Sequence, residues 1–352
     1  MARVCERVSS YLESEIDRGT FPGAQYAIAD GGEIVAEGAL GNAVVQPERI
    51  PVTLSTIFDL ASLTKPLVTS LISVILAERG ELDLNAPASL YVKELGDRED
   101  KRSITVTQLL THTSGFQRWL PFYRELSDPG ELPGAISASE LLPSSNGLRP
   151  AVYSDLNYIL LGLLLERISS KPLDELARQE IFSPLRLART MFNPPAKLKR
   201  EIAATAEETA VIWGVAHDAN ARFSRGVSGH AGLFSTAREV FRLASQYLPG
   251  SKLLSNLSLG LFTENLTLVG DTQRSMAWVL ASTPDCAAGP SLPQYAIGHN
   301  GFTGTSVWID PRKKRILVLL TNRLHPKQTE IDMKPVRQRF NSLAIEELDR
   351  DK

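Results

Sequence analysis

The stretch FDLASLTKPLVTSLI, Phe58 to Ile72, sets Ser62 three residues before Lys65 at the mouth of an apolar run. Lysines normally sit on solvated surfaces. This one is followed at once by Pro66, Leu67 and Val68. If a helix starts near Ser62, Lys65 lies one turn on and shares its face. The partial positive charge of a helix N-terminus favours an alkoxide developing on Ser62. The same charge, together with burial, disfavours an ammonium, so the Lys65 pKa is expected to fall. A neutral amine there can take the proton that a serine must lose to become a useful nucleophile. Pro66 suits a first helical turn, where its missing N–H is not needed. S-x-x-K fixes only two residues and recurs by chance about once in a chain of this length, so the rest of the sequence must decide.

Outward from Ser62, the chain shows strand signals near both ends and helical signals between them. AQYAIAD and EIVAEGAL flank Asp30-Gly31-Gly32 and read as a hairpin. SMAWVLA, GTSVWID and RILVLLTN read as strands, the last two separated by a turn at Pro311 to Lys314. Val4, Val8, Leu12 and Ile16 recur at helical spacing before Gly19, as do Val336, Phe340, Leu343 and Leu348 in the tail. The segment from Ser62 reads as a helix to about Arg79-Gly80, and from there to about Ser224 the chain reads as helices and long loops. Pro129 to Pro150 is rich in Pro, Gly and Ser and reads as an irregular connection. The expected fold is α/β in the α+β sense: an antiparallel sheet built from both termini and flanked by helices. Residues 1–80 and 225–352 would form the sheet domain, 81–224 an inserted helical domain, and a cleft would lie between them.

Composition narrows the function classes. The formal net charge of the 352-residue chain is -2, so a nucleic-acid-binding reading lacks a basic surplus. Cys5 and Cys286 are its two cysteines, too few for a disulfide framework or a zinc cluster, and are expected as free thiols. The five histidines show no H-x-x-x-H spacing, so no metal ligands are expected. Acidic residues interrupt the N-terminal helix, which does not read as a secretory signal. YILLGLLLERI, the longest apolar run, is too short to span a bilayer. The reading is a soluble, cytoplasmic protein of unspecified oligomeric state, with no nucleic-acid partner and no membrane span.

Two further stretches bear on Ser62. YSDLNYILLG opens an apolar helix with a polar tip, Tyr153-Ser154-Asp155. A tyrosine beside an ammonium can have a lowered pKa and act as a phenolate base. GHNGFTGTSVWID leads from His299-Asn300-Gly301 into a strand, and its glycines let a ligand approach the backbone closely.

With SLTK, YSD and HNG in this order, the sequence resembles the serine β-lactamase and penicillin-binding-protein superfamily, in its class C-like branch with D-aminopeptidases and family VIII carboxylesterases. VTQLLTHTSGF and GHAGLFSTAREV extend the resemblance, which covers roughly residues 20 to 325. It implies a β-lactamase/transpeptidase-like fold. It also implies a serine hydrolase that works through an acyl-enzyme on small ester, amide or lactam substrates, without a cofactor. Carried over by position, Ser62 would be the nucleophile, Lys65 and Tyr153 would share the base and acid roles, and the N–H groups of Ser62 and Phe302 would form the oxyanion hole. Asp155, His299, Asn300 and Gly301 would line the substrate.

Two departures refine this. Asp155 stands where many relatives have asparagine; a carboxylate cannot donate to a substrate carbonyl and would raise the Lys65 pKa, which shifts weight to Tyr153 as base. His299 replaces the K-T-G lysine and so loses a fixed positive charge that suits an anionic substrate. Both argue against a dedicated cephalosporinase, and a carboxylesterase acting on short-chain esters is the favoured reading, because an alkoxide leaves more readily than an amide nitrogen. A β-lactamase or D-amino-acid peptidase or amidase is the alternative, and a non-turnover sensor a remote one. A class A route fails because Leu156 breaks S-D-N, and ELDLN, Glu81 to Asn85, precedes YSD instead of following it. His112 reads as a loop-fixing residue, His230 as a possible cleft residue and His217-Asp218 as structural. Arg222 and Arg225 are weighed as carboxylate ligands, with a solvated surface as the simpler reading.

Overall fold

Two glycines turn the chain at the first hairpin. Gly31 and Gly32 have φ of 61° and 88°, as a two-residue turn with both central residues left-handed requires. The turn joins β1 (Gly23–Asp30) to β2 (Glu33–Val44) in antiparallel register, Asp30 opposite Glu33. The computed structural model describes residues 2–144, 148–328 and 330–350, with side chains from Glu6 onward. In it these strands join β3 (Ile50–Pro51), β4 (Val279–Leu280), β5 (Ile297–Asn300), β6 (Ser306–Asp310) and β7 (Arg315–Thr321). The seven form one antiparallel sheet in the order β3-β2-β1-β7-β6-β5-β4. The two ends of the chain therefore meet at its centre, where β1 pairs with β7 from Ala24 opposite Thr321 to Ala29 opposite Ile316.

The alternation along β1 and β7 shows why both strands are apolar on both faces. Ala24, Tyr26 and Ile28 point to one side with Leu317 and Leu319. There they meet Val8 and Leu12 of α1 (Ala2–Asp17) and Val336, Phe340 and Leu343 of α5 (Lys334–Arg350). Ala27, Ala29, Ile316, Val318 and Leu320 point to the other side. That face packs into a core running through α2 (Leu71–Glu78), α3 (Asp155–Ser169) and α4 (Ala237–Ala244).

The structure departs from the sequence reading in three places. SMAWVLA contributes only Val279–Leu280 as strand. The 81–224 region holds short strands besides helices: Met191–Phe192 pairs with Leu233–Ser235, which pairs with Phe58–Asp59, and Thr205–Glu207 pairs with Ala210–Ile212. Strands of two or three residues are too short to show a period. Pro129 to Ala138 is helical, a turn Pro129–Glu131 running into Leu132–Ala138. Asp128 and Glu131 form a reciprocal capping box there and Pro129 takes the first helical position, so local capping outweighs the Pro and Gly content. Residues 145–147 of that stretch lie outside the described residues, as does the Cys5 side chain; Cys286 is a free, half-buried thiol.

One continuous helix, Ala61–Glu78, is long and apolar enough by composition to cross a membrane, and 83% of it is buried within the protein. At β5, Gly298 lies opposite Trp308, whose ring is fully buried. A Cβ on Gly298 would come within 2.2 Å of that ring. Gly298→Ala is therefore expected to destabilise the fold by about 1–3 kcal/mol, read from urea unfolding. An unchanged unfolding midpoint would show that the indole can move aside.

Candidate active site

Ser62 sits on a strained turn. Ala61, just before it, has φ of 46°, a left-handed conformation that is costly without glycine. The buried carboxylate of Asp59 holds this turn: Oδ1 accepts from Ala61 N at 2.8 Å and Oδ2 from His217 N at 2.7 Å. Its carbonyl accepts from Thr303 Oγ1 at 2.8 Å, which ties the Ser62 turn to the β5–β6 connection. Burial pushes the Asp59 carboxyl up to about 6, against the pull of those two N–H donors. From Ala61 the chain winds through a 3-10 turn and a wider helical turn, Lys65–Ser70, before α2.

Lys65 is fully buried. Its Nζ donates to Ser62 Oγ at 3.0 Å and to the His230 carbonyl at 3.0 Å, and lies 2.7 Å from Asp155 Oδ1. Two hydrogen-bond acceptors and one carboxylate at ion-pair distance surround the ammonium. Burial alone would lower the Lys65 pKa, but Asp155 and Tyr153 outweigh it and the pKa is raised. The lowering expected from burial and the helix N-terminus alone does not occur; the raising expected from Asp155 in place of asparagine does, because a carboxylate at contact distance outweighs burial.

The His230 carbonyl reaches Lys65 because two glycines let its loop lie on α3. A Cβ on Gly229 would stand 2.1 Å from Tyr158 O, and one on Gly162 would stand 2.8 Å from Gly229 N. The His230 ring turns away, bonding Asp218 Oδ1 at 2.8 Å and Ser228 Oγ at 2.8 Å. Asp218 caps the short helix Ala219–Phe223 through Ala221 N. Asp155, Asp218 and His230 offer ligand atoms within 4.8 Å of one another. The Lys65 ammonium, 2.7 Å from Asp155 Oδ1, already supplies positive charge to this cluster, so the donor set does not fit a metal.

Tyr153 and Asp155 are set by the start of α3. Ser154 N donates to His112 Nδ1 at 3.1 Å, as Asn157 Nδ2 does at 3.2 Å, and Ser114 Oγ donates to Asn157 Oδ1 at 2.6 Å. The THTSG stretch thus clamps YSDLN. Burial, then Arg274 and Lys65, push the His112 pKa well down, so His112 is a neutral acceptor stacked 4.8 Å from the Tyr153 ring. The Lys65 Nζ lies 4.9 Å from the Tyr153 ring centre, and Tyr153 borders both of the cavities that Ser62 borders. Burial raises the Tyr153 pKa, opposed by Lys65 and assisted by Asp155. At rest the site therefore holds an ammonium and a phenol. Lys65 and Tyr153 each shift the other, so they titrate as a coupled pair.

β5 brings His299, Asn300 and Gly301 alongside. Burial, then Arg274 and Lys65, push the His299 pKa well below the usual range. Its Nδ1–H meets the Asn300 carbonyl at 2.9 Å. A Cβ on Gly301 would stand 2.6 Å from Leu60 O, so only glycine lets β5 approach the Ser62 turn. The Phe302 carbonyl accepts from Arg323 Nε at 2.8 Å, which fixes the peptide following it. Ser62 lies between two cavities of about 390 Å³ each. One is bordered by Tyr153, His299, Asn300, Gly301 and Phe302 together with Arg274, Arg323 and Arg337. The other is bordered by Asp155, Trp119, Tyr123 and Asp218. A larger cavity near Glu166 does not touch Ser62 and carries none of this chemistry.

A serine, a lysine and a tyrosine in mutual contact, with a glycine-opened strand beside them, form a recognisable constellation. A profile of the family named Beta-lactamase matches residues 8–340. The chain belongs to that family. It is a hydrolase of serine β-lactamase fold. Among curated relatives it is 31% identical to a Bacillus subtilis (strain 168) protein named N-acetylmuramyl-L-alanine amidase, over 91% of this chain and 81% of that one. It is 30% identical to a Salmonella typhimurium protein named putative D-alanyl-D-alanine carboxypeptidase, over 91% and 82%. Among solved structures it resembles EstCE1, a hydrolase with promiscuous acyltransferase activity, with a TM-score of 0.80 at 21% identity over 97% of this chain and 99% of that one. A class C β-lactamase from Rhodobacter sphaeroides gives 0.78 at 20% identity, over 97% and 99%. The last two likenesses show the fold.

Sequence reasoning missed Arg274, Arg323, Arg337 and Asp59, since isolated arginines and a strand-end aspartate carry no local pattern. Arg222 is not free for a substrate: it is ion-paired with Glu207 at 2.5 Å and donates to the Ala216 carbonyl at 3.0 Å. Arg225 lies by the cavity near Glu166. Glu81, half-exposed and 4.0 Å from Arg79, belongs to the turn after α2.

Asp155 raises the pKa of both Lys65 and Tyr153. The base-competent form of the cluster has lost one proton, so acylation is expected to rise with pH on the alkaline side. Asp155→Asn removes the raising charge and should move that limb to lower pH in a pH profile of kcat/KM. A limb that stays in place or moves upward would show that Asp155 does not set it.

Proposed function

We propose that the protein is a serine acyl hydrolase that forms a covalent acyl-enzyme on Ser62, and that small amide-linked, peptide-like acyl donors are its principal substrates. The observation that carries this reading is the Tyr153 phenol, its pKa raised by burial, on the cavity that Ser62 also borders and with its ring centre 4.9 Å from Lys65 Nζ. An amide nitrogen leaves only once it is protonated, whereas an ester alkoxide leaves more readily without help. A buried phenol kept protonated beside the reacting oxygen suits the harder departure.

In the form of the Lys65–Tyr153 cluster that has lost one proton, Ser62 Oγ attacks the substrate carbonyl and its proton refills the cluster. The carbonyl oxygen gains negative charge facing the N–H groups of Ser62 and Phe302. Losing one such donor typically costs about 10²–10³ in rate. Collapse of the tetrahedral intermediate breaks the bond to the leaving group, which takes a proton from Tyr153. Water then attacks the acyl-enzyme, giving its proton to the same cluster, and frees the acid and Ser62. The names of the relatives, an amidase and a putative carboxypeptidase, support the amide reading.

Short-chain ester hydrolysis is the second reading. It is favoured by the neutral His299, which removes the fixed charge of the K-T-G lysine. The same Ser62 serves both.

The test is parallel turnover of acetyl-D-Ala-D-Ala, p-nitrophenyl butyrate and a chromogenic cephalosporin. Ser62→Ala should abolish all turnover and any acyl adduct seen by mass spectrometry. Tyr153→Phe should cut amide turnover by about 10²–10⁴-fold and ester turnover by clearly less. Equal losses on both would remove Tyr153 from leaving-group protonation. Ester turnover without peptide turnover in the unaltered protein would put the short-chain ester reading first. An adduct on Ser62 with no product released would mark a sensor.

A further inference from the structure

The loop that supplies the His230 carbonyl to Lys65 is tied to the nucleophile's own helix. Thr69 Oγ1 donates to the Gly229 carbonyl at 2.6 Å, and Leu233 N donates to Thr64 Oγ1 at 3.2 Å. The His230 ring reaches a different segment, meeting Asp218 Oδ1 at 2.8 Å. Burial alone would raise the Asp218 pKa, but His230 and the Ala221 N–H outweigh it and hold the carboxyl well below the usual range. Asp218 is therefore an anion that accepts from His230 Nε2–H. Ser228 Oγ takes the other ring nitrogen at 2.8 Å.

These contacts close a circuit around the reacting pair. Asp59 Oδ1 holds Ala61 N, beside Ser62, and Asp59 Oδ2 holds His217 N. The next residue, Asp218, holds the His230 ring, and the His230 carbonyl holds Lys65 Nζ at 3.0 Å. Lys65 Nζ then returns to Ser62 Oγ at 3.0 Å. Residues 217–218 thus reach the nucleophile by one route and its lysine by another. The need for this is electrostatic. A lysine ammonium is a point charge on a flexible stem, and its attraction to a carboxylate has no preferred direction. Asp155 Oδ1 lies 2.7 Å from Nζ and pulls on it. Ligand atoms of Asp155, Asp218 and His230 all lie within 4.8 Å of one another, so without the His230 ring a second carboxylate would face the same ammonium. Arg222 cannot take the place of the ring, because Glu207 and the Ala216 and His217 carbonyls engage it.

We propose that Asp218 and His230 are positioning residues for acylation: their contact fixes the His230 carbonyl, which keeps Lys65 Nζ on Ser62 against the pull of Asp155. This rests on the acyl-hydrolase reading and extends it to two side chains that take no part in bond making. It adds no proton transfer and no covalent step.

The test is a set of variants assayed with p-nitrophenyl butyrate. His230→Leu keeps the bulk and removes the donor; it should lower kcat by about 10²-fold and leave KM within about threefold. His230→Gln, which can place an N–H near the position of Nε2, should recover most of that loss. Combined with Asp155→Asn, His230→Leu should cost clearly less than it does alone, because the opposing pull is gone. A purely structural role would cost the same factor with and without Asp155→Asn. Crystal structures of the unaltered protein and His230→Leu should show Nζ moved away from Ser62 Oγ in the variant. Thermal melting separates loss of fold from loss of positioning. Should His230→Leu not fold, Asp218→Ser carries the same expectations, since serine still caps a helix but is too short to reach His230. The proposal is overturned if His230→Leu leaves kcat unchanged, if its cost is equal with and without Asp155→Asn, or if Lys65 stays in place. If the unaltered protein cleaves no ester, peptide or cephalosporin, the acyl-hydrolase reading falls, and the two crystal structures still decide whether the pair positions Lys65.

Discussion

The buried ammonium of Lys65 is the contact on which the site depends. An ion in an apolar interior is tolerable only when its partners are complete. Lys65 has three: Ser62 Oγ, the His230 carbonyl and Asp155 Oδ1. Each comes from a different part of the chain. The lysine thereby holds together the helix that bears the nucleophile, the start of α3 and the glycine-lined loop at 228–231. The supporting structure follows from that requirement. Gly229 and Gly162 permit the loop to lie on the helix, and His112 clamps the turn that presents Tyr153 and Asp155.

The sheet provides the fixed side of this arrangement. Joining β1 to β7 at its centre ties the first and last thirds of the chain together, and covering both faces with helices makes those strands wholly apolar. β5 lies near the sheet edge, where Gly301 allows it to approach the Ser62 turn and Asp59 and Thr303 lock the two together. The reactive serine therefore sits at a seam between a rigid sheet and a helical layer, with cavities on either side.

Charge is distributed unevenly across that seam. Three carboxylates and one arginine, Arg118, border one cavity; three arginines and one carboxylate, Asp332, border the other. His299 is neutral, so positive charge on its side comes from arginines that belong to other segments. Arg274 pushes both His112 and His299 further toward their neutral forms, and Arg337 adds to the push on His299.

The sequence alone determined the main elements and singled out the groups that the fold brings together at the seam. Its apolar periods located the terminal helices and the long strands, Asp30-Gly31-Gly32 located the first turn, and S-x-x-K with YSD and HNG located Ser62, Lys65 and Tyr153, because each of these is written in residues close together. It could not decide what depends on groups brought together from afar. The resemblance put Asp155 near Lys65 and so pointed to a raised pKa, but the 2.7 Å contact that makes it outweigh burial joins residues ninety positions apart and is set by the fold. The short strands that seat the Ser62 turn, and the arginines of the basic cavity, carry no local signal. Periodicity and capping are properties of neighbouring residues, whereas the protonation of a buried group is set by burial and by charges that only the folded chain places beside it.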